Sequence, residues 1–479
     1  MSVFATATTS HNATMPDHLT LINPATEALI TELPVDDAAK VAAKVASARA
    51  AQPAWAARPL TERLDCLARF RDLLVQRADA LATTLTTETG KPITQAKGEI
   101  LGTPARIDFV LQNTAAVLAA VPAHCEPDGA LPGTADLEEY ITYDPLGAIA
   151  NISAWNYPYF VGINVIAPAL ATGNAVLYKP SEISTLTGLA ISDLLHEAGV
   201  PDDVFIPVVG NGLTGAALLE QPLNGVFFTG SNGTGRKIAA AAAPQMMPLQ
   251  LELGGKDPAY VCDDVDVAAA AAGLADGAFY NNGQSCCSIE RIYVHDRLYE
   301  AFVAEFLTLV QGFTLGDPMA SETYLGPLSR RPQVAVLEQQ IEDAIAKGAT
   351  LRCGGQTVDR PGWYFAPTVL TEVTHDMTVM REETFGPLIG IQRVESDEAA
   401  VALMNDTDYG LTAAVYCRDR QRAVTLLGAV SSGSAYWNCC DRVSPRLPWT
   451  GRKQSGVGLT LSQEGIRAFV QPRAWHLRS

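Results

Sequence analysis

The sequence predicts an α/β protein with two alternating regions: a doubly wound parallel sheet over about 146–250 and a second α/β unit over about 259–436. Three observations carry that prediction. Short apolar runs of strand length alternate with helix-period segments through both stretches, the pattern of parallel βαβ units. The chain has 479 residues, too many for one core and enough for two or three domains of roughly 150 residues each. Apolar residues make up 48% of it and charged residues 18%, a globular balance that excludes disorder and a coiled coil.

Residues 1–18 are rich in Ser, Thr and Ala but have neither a basic start nor an apolar centre. They read as a frayed tail and not as a secretory signal. From Val35 to about Leu85 apolar residues recur at three and four positions, and Pro53 and Pro59 are expected to break the run into two or three helices. LEEYITYDP at 137–145 has strand character yet lies outside both alternating regions, as does the C-terminal FVQPRAWHL. Both read as interface strands.

The run GAIANIS, within Leu146–Ser153, reads as a buried strand, and Trp155-Asn156-Tyr157-Pro158 turns the chain into a helix beginning near Phe160. Strand-like AVLYK at 175–179 is followed by Pro180-Ser181-Glu182 and a helix over Leu186–Glu197. VFIPVV at 204–209 and GVFFTG at 225–230 each lead into a Gly-rich turn and a helix. In the second region AYVCDD, IYVHD and AAVYC are strand-like, while 297–312 and 333–347 are helical.

With 34 basic and 52 acidic residues the net charge is −18, which repels phosphate backbones and anionic membrane surfaces, so neither nucleic acid nor a membrane is an expected partner. No stretch approaches the roughly 18 apolar residues of a membrane span. Nine cysteines are scattered without the spacing of a disulfide framework or a zinc site. That fits a reducing compartment, and the cytoplasm is the expected location. The seven histidines are dispersed, so no metal site is expected.

Several residues carry chemistry, each with a plainer reading beside it. Asn281-Asn282-Gly283-Gln284-Ser285-Cys286-Cys287-Ser288 is a polar loop between an apolar helix and a strand, which makes Cys286 reachable by a substrate. A cysteine is also a small buried hydrophobe. In Leu251-Glu252-Leu253-Gly254-Gly255-Lys256 an apolar run surrounds Glu252, and desolvation would turn it into a base near neutral pH. The alternative is a half-buried ion pair between Glu252 and Lys256. Asn156 follows a strand and would donate to a developing oxyanion, or it is an ordinary turn residue. Gly210-Asn211-Gly212-Leu213-Thr214-Gly215 matches GxGxxG. One βα unit later Phe228-Thr229-Gly230-Ser231 offers equally good backbone donors for phosphate. Periodicity does not choose between them.

Read in order, YDPLGAIANISAWNYP, KPSE, FTGS, LELGGK, GQSC, EETFGP and KQSGVG form a set that strongly resembles the aldehyde dehydrogenase superfamily across nearly the whole chain. The resemblance implies an NAD(P)-dependent enzyme that oxidises an aldehyde to its acid. It makes Cys286 the nucleophile, Glu252 the general base, and Asn156 with the Cys286 backbone N–H the oxyanion hole. It implies adenosine-ribose ligands at Lys179 and Glu182, with Ser181 between them, and nicotinamide-ribose ligands at Glu383 and Phe385. Pyrophosphate contacts fall at Trp155 and Ser231, which favours the Gly230 loop over the Gly212 loop. A carboxylate at Glu182 accepts from a 2′-hydroxyl and repels a 2′-phosphate, so NAD is expected in preference to NADP. The implied architecture is a cofactor domain of 1–125 and 146–254, a catalytic domain of 255–458, and oligomerisation segments at 126–145 and 459–479. The C-terminal strand would pair across subunits of a homodimer or homotetramer. A relative that passes the acyl group to coenzyme A would not need Glu252, and a silent binding member would have lost nucleophile, base or cofactor ligands.

The chain departs from the family pattern at Pro448-Trp449-Thr450-Gly451-Arg452 and at Asn438–Arg446. The latter resembles the substrate-entrance loop and carries Arg442 and Arg446. Either these pair with a carboxylate on the aldehyde's tail, making the substrate a semialdehyde, or they are rim arginines facing solvent. Tyr157 and Tyr280 are further candidate substrate contacts. The helix after WNYP lacks the arginine that some semialdehyde enzymes supply there, so apolar or aromatic aldehydes stay open. Cys287, Cys439 and Cys440 are either inert packing or redox partners for Cys286.

Overall fold

The strands Ala148–Ile152 and Ala175–Lys179 are buried at every position, as parallel strands are when helices cover both faces of their sheet. The helices Ala38–Ala57 and Pro158–Ala171 supply that cover. The computed structural model describes residues 15–126 and 136–478. Its first sheet has six strands in the order Gly456–Val457, Leu249–Glu252, Val226–Thr229, Ala148–Ile152, Ala175–Lys179, Phe205–Pro207. All pair in parallel except the two-residue Gly456–Val457.

A seven-stranded sheet follows in the order Thr350–Cys353, Thr368–Thr371, Leu388–Val394, Ile289–His295, Asp257–Val261, Thr412–Tyr416, Ser434–Trp437. Only its first strand is antiparallel. The chain is thus α/β with two largely parallel sheets, as its alternation predicts. Among the described residues no helix is long and apolar enough to cross a membrane.

Pro53 does not break a helix. It lies within Ala38–Ala57 on the exposed side, where water can take the hydrogen bond that its missing N–H leaves open. The buried Trp55 holds the last turn by donating from Nε1 to the Leu170 carbonyl at 3.1 Å. Pro59 does divide the run, and the stretch forms three helices, Ala38–Ala57, Leu60–Gln76 and Ala78–Thr89. The helix after WNYP starts at Pro158, with proline in its first turn.

The two outlying strands find each other. Val470–Arg478 pairs antiparallel with Leu137–Pro145 along nine residues, and Val121–Glu126 completes a three-stranded sheet. Trp475 lies opposite Tyr140 in this register and stacks on it, ring centres 5.7 Å apart. The middle of the expected oligomerisation hairpin, 127–135, and residues 1–14 of the expected tail lie outside the described residues. The tail's last residue, His18, opens an unanticipated hairpin, His18–Ile22 with Leu29–Pro34.

Candidate active site

The last residues of four neighbouring parallel strands, Ile152, Lys179, Thr229 and Glu252, line one cavity of about 1070 Å³. Parallel strands place their carboxyl ends at one edge of a sheet, and ligands bind in the crevice beyond it. Both Gly-rich turns border this same space, one through Asn211 and Gly212, the other through Gly230 and Ser231. The two sequence candidates are therefore neighbours and not rivals. Asn211 caps the helix Gly212–Leu219 through the Leu213 N–H at 2.9 Å, and Ser231 caps Asn232–Ala242 through the Thr234 N–H at 3.4 Å. Side-chain carbons added at Gly212 or Gly233 would meet nothing within 4 Å, so a ligand can approach the backbone at both. Trp155, Ser181, Glu182, Glu383 and Phe385 line the cavity as well. Lys179 is buried, with its ammonium 3.8 Å from the half-exposed Glu182. A space of this size, with two helix N-termini and several side-chain donors, fits a dinucleotide.

The Glu383–Phe385 wall is fixed from behind. Glu290 accepts from the Thr384 N–H at 2.8 Å, the Phe385 N–H at 3.0 Å and the Lys256 ammonium at 2.8 Å. Lys256 therefore pairs with Glu290 and not with Glu252. After Glu252 the chain passes through Gly254 and Gly255 and brings Lys256 to the start of the strand Asp257–Val261 in the other sheet. Phe385 meets Trp155 edge to face, with ring centres 5.6 Å apart.

The Cys286 loop is equally constrained. Asn281, Asn282 and Gly283 take consecutive positive φ angles of 53°, 57° and 67°, a conformation that Asn and Gly tolerate best. Gln95 accepts from the Asn281 N–H at 2.9 Å, Asn282 donates to the Gly326 carbonyl at 2.7 Å, and the Gln284 side chain accepts from the Ser329 N–H at 2.9 Å. Cys286 lines the cavity and is half-exposed, whereas Cys287 is buried. The Cys287 thiol donates to Asp441 Oδ1 at 2.9 Å. Its hydrogen bond with Cys286, together with burial, pushes it well above the usual thiol range. Of the two adjacent thiols, only Cys286 is presented to a ligand.

Asn156 and Glu252 border the same cavity. The Asn156 amide gives one hydrogen to the Gln284 carbonyl at 3.0 Å, which fixes its orientation and leaves a second N–H. Burial pushes the Glu252 carboxyl up to about 7, while the Thr460 hydroxyl at 2.5 Å, the Arg106 charge and the Trp449 indole pull it down. Among the described residues no group of three or more His, Cys, Asp or Glu could hold a metal ion.

The candidate substrate contacts fare differently. Tyr157, Tyr280, Arg442 and Arg446 are not among the cavity's lining residues. Arg442 and Arg446 are exposed, and among the described residues the Arg442 guanidinium hydrogen-bonds to the Asp441 carbonyl, at 3.4 Å. The Tyr157 ring has the Lys91 ammonium 3.8 Å from its centre and stacks with Phe160. Tyr280 meets Tyr324 edge-on. Cys440 is buried and donates to the Gly273 carbonyl at 3.4 Å, and Cys439 is half-exposed.

Sequence reading missed four side chains near the reacting groups: Lys91, Glu99, Arg106 and Thr460. Lys91 and Glu99 form a fully buried ion pair, and Glu99 also accepts from the Tyr159 N–H at 2.9 Å at the start of the Pro158 helix. No local signal marks them. Each reads as an ordinary helix or turn residue until its neighbours are known.

The chain matches the description "Aldehyde dehydrogenase family" over residues 11–475. A 3,6-anhydro-alpha-L-galactose dehydrogenase of Streptomyces coelicolor is 36% identical, covering 98% of this chain and 94% of that protein. A succinate-semialdehyde dehydrogenase [NADP(+)] of Deinococcus radiodurans is 34% identical, covering 98% and 96% respectively. The solved structure of PnpE in complex with nicotinamide adenine dinucleotide superposes with TM-score 0.91 at 33% identity, covering 96% of this chain and 94% of that one.

Proposed function

The chain belongs to the aldehyde dehydrogenase family, and from that premise we propose that it oxidises its aldehyde through a covalent thioester on Cys286, with NAD preferred to NADP as hydride acceptor. The observation that carries this reading is the convergence of Cys286, Asn156, Glu252 and the dinucleotide cradle on one cavity.

The Cys286 thiolate attacks the aldehyde carbon. The tetrahedral oxyanion is held by the free N–H of the Asn156 amide and by the Cys286 backbone N–H, both preorganised by the fixed loop. When bound along Lys179, Glu182, Ser231 and Glu383, the dinucleotide supplies the oxidising power by accepting hydride from that carbon. The carbon is left as a thioester on Cys286. Glu252 then takes a proton from water, whose oxygen attacks the thioester, and the acid departs with the thiol restored. A buried base at that position favours hydrolysis over transfer to an acceptor such as coenzyme A.

Glu182 supports the cofactor preference, because a carboxylate accepts from the 2′-hydroxyl of NAD and repels the 2′-phosphate of NADP. Lys179 offsets part of that repulsion. In this reading the six-stranded sheet belongs to the cofactor domain and the seven-stranded sheet to the catalytic domain. The three-stranded sheet, whose edge strand Val470–Arg478 is largely exposed, is the contact surface of a homodimer or homotetramer. A panel of aldehydes run with NAD and with NADP, with acid measured as product, tests the reaction. Acid formation that survives Cys286→Ala would refute the thioester route, and higher efficiency with NADP would refute the cofactor preference.

A further inference from the structure

The helix Pro158–Ala171 starts two residues after Asn156 and has no cap of its own. Pro158 brings no N–H, and Tyr157, at the cap position, makes no side-chain hydrogen bond to the helix. The first N–H groups of a helix lack intrahelical partners and need an acceptor when they are buried. Glu99 supplies it from 60 positions away: its Oε1 accepts from the Tyr159 N–H at 2.9 Å and from the Phe160 N–H at 3.3 Å. Its other oxygen pairs with the Lys91 ammonium, and both side chains are 1% exposed. A carboxylate suits the positive end of a helix dipole, and Lys91 balances its charge in the interior.

Gln95 lies one turn earlier on the same helix, Ile93–Gly102, and so shares a face with Glu99. Its side-chain oxygen accepts from the Asn281 N–H at 2.9 Å, at the entry to the Cys286 loop, and its amide donates to the Tyr324 carbonyl at 2.9 Å. The two held segments also touch each other. The Asn281 amide donates to the Asn156 carbonyl at 3.4 Å, and the Asn156 amide to the Gln284 carbonyl at 3.0 Å. The helix start is tied down in turn, with the Ile93 N–H on the Pro318 carbonyl at 2.7 Å.

None of Lys91, Gln95 and Glu99 lines the cavity that holds Cys286. Their influence on the reaction therefore passes through the segments they hold. An oxyanion hole works because its donors are aimed before the charge develops, and a displacement of about 1 Å costs on the order of 10²-fold in rate.

We propose that the face of Ile93–Gly102 bearing Gln95 and Glu99, with Lys91 as counter-ion, is a clamp that sets the two oxyanion donors, the Asn156 amide and the Cys286 backbone N–H, relative to each other. This rests on the thioester reading and adds to it the positioning residues that lie outside the cavity. Glu99 aims residues 156–160, and Gln95 aims the loop 281–286.

Two double variants separate the cap from the charges. The first, Lys91→Met/Glu99→Gln, removes both charges and keeps an acceptor for the Tyr159 N–H. The second, Lys91→Met/Glu99→Leu, removes the acceptor as well. Neither buries an unpaired ion, so both should fold. The probes are an alkanal, a hydroxyaldehyde, an aminoaldehyde and an oxo acid with NAD, and the one turned over fastest is carried forward. The second pair should lose about 30-fold in kcat and in the rate of the first-turnover burst of reduced dinucleotide, with the Michaelis constant for NAD changed less than about twofold. The first pair should recover most of that loss, and Gln95→Met should lose about tenfold by loosening the other donor. Amide exchange over 157–163 should quicken in the second pair and not in the first. Added to Asn156→Ala, the second pair should cost less than about threefold more, because a donor already removed cannot be misaimed. Equal burst rates in the two pairs, or losses that multiply with that of Asn156→Ala, would overturn the clamp and leave the thioester route intact. An unchanged burst in Asn156→Ala would overturn the oxyanion reading, and the clamp with it. Turnover of none of the four probes would overturn the underlying reading, and equal amide exchange in the two pairs would overturn the hold on 156–160 whatever the activity.

Discussion

On the dinucleotide side of Cys286 the cavity wall is made of strand ends, glycines and capped helix N-termini, each assembled by residues close in sequence. On the other side, proposed for the aldehyde, polar groups from distant segments surround Asn156, Glu252 and Cys287: the buried Lys91–Glu99 pair, the buried Arg106 and Thr460, and the half-buried Asp441. In the proposed function the first side binds with backbone donors, which tolerate side-chain change. The second side is built of buried polar groups, and an ionised one among them depends on its partner, as Lys91 does on Glu99. In the proposed function, cofactor binding and substrate choice would thus rest on different kinds of chemistry.

The junction of the two sides should be the most sensitive point. Cys286→Ala is expected to lower kcat by about 10⁴-fold or more, while Cys287→Ala, one residue away, should cost less than about tenfold. Steady-state reduction of the dinucleotide reads both, and a comparable loss at Cys287 would erase the distinction between them. Next in size, Lys91→Met strands the Glu99 carboxylate in the interior and should destabilise the fold by about 3–5 kcal/mol. Chemical denaturation measures this, and a loss below about 1 kcal/mol would mean that the aldehyde side does not depend on paired burial.

Glu252→Gln should lower kcat by about 10²–10³-fold and spare a first-turnover burst of reduced dinucleotide, because hydride leaves before the thioester is hydrolysed. As the proposed base, Glu252 would work deprotonated, and burial pushes its carboxyl up to about 7. Activity limited by this step should therefore rise with pH through about 7, and that limb should vanish in Glu252→Gln. A missing burst would assign Glu252 to the acylation half instead. On the dinucleotide side, Glu182→Ser should improve kcat/KM for NADP relative to NAD by about 10-fold, near the worth of one screened charge contact. An unchanged ratio would move the discrimination elsewhere. The smallest effect is expected for Ser231→Ala, whose long cap bond is worth about 0.5–1 kcal/mol. A thermal melt that drops by as much as that of Lys91→Met would break the contrast between the two walls.

Legibility in the sequence followed the same division. The strand-turn-helix units of the six-stranded sheet could be read directly, since each fully apolar run and each capping Asn211 or Ser231 acts on its own neighbours. The Cys286 loop was readable for the same reason. The pairing of Leu137–Pro145 with Val470–Arg478 was not, because a half-buried strand and a largely exposed one carry no mark of their partner. Pro53 misled, because the cost of a proline inside a helix depends on whether water reaches the open carbonyl.

The sequence by itself determined the two alternating α/β regions and the order of their elements. It also put forward Cys286, Glu252, Asn156 and the two Gly-rich turns as candidates, which the fold gathers around one cavity. Only the tertiary structure decided that Lys256 serves Glu290 and not Glu252, that Arg442 and Arg446 are exposed, and that Thr460 holds Glu252. The physical reason is the range of the forces involved. Backbone propensity and capping act over a turn or two of chain. The state of a buried charge depends on desolvation and on partners such as Thr460 for Glu252, 208 positions away, which only the folded chain brings together.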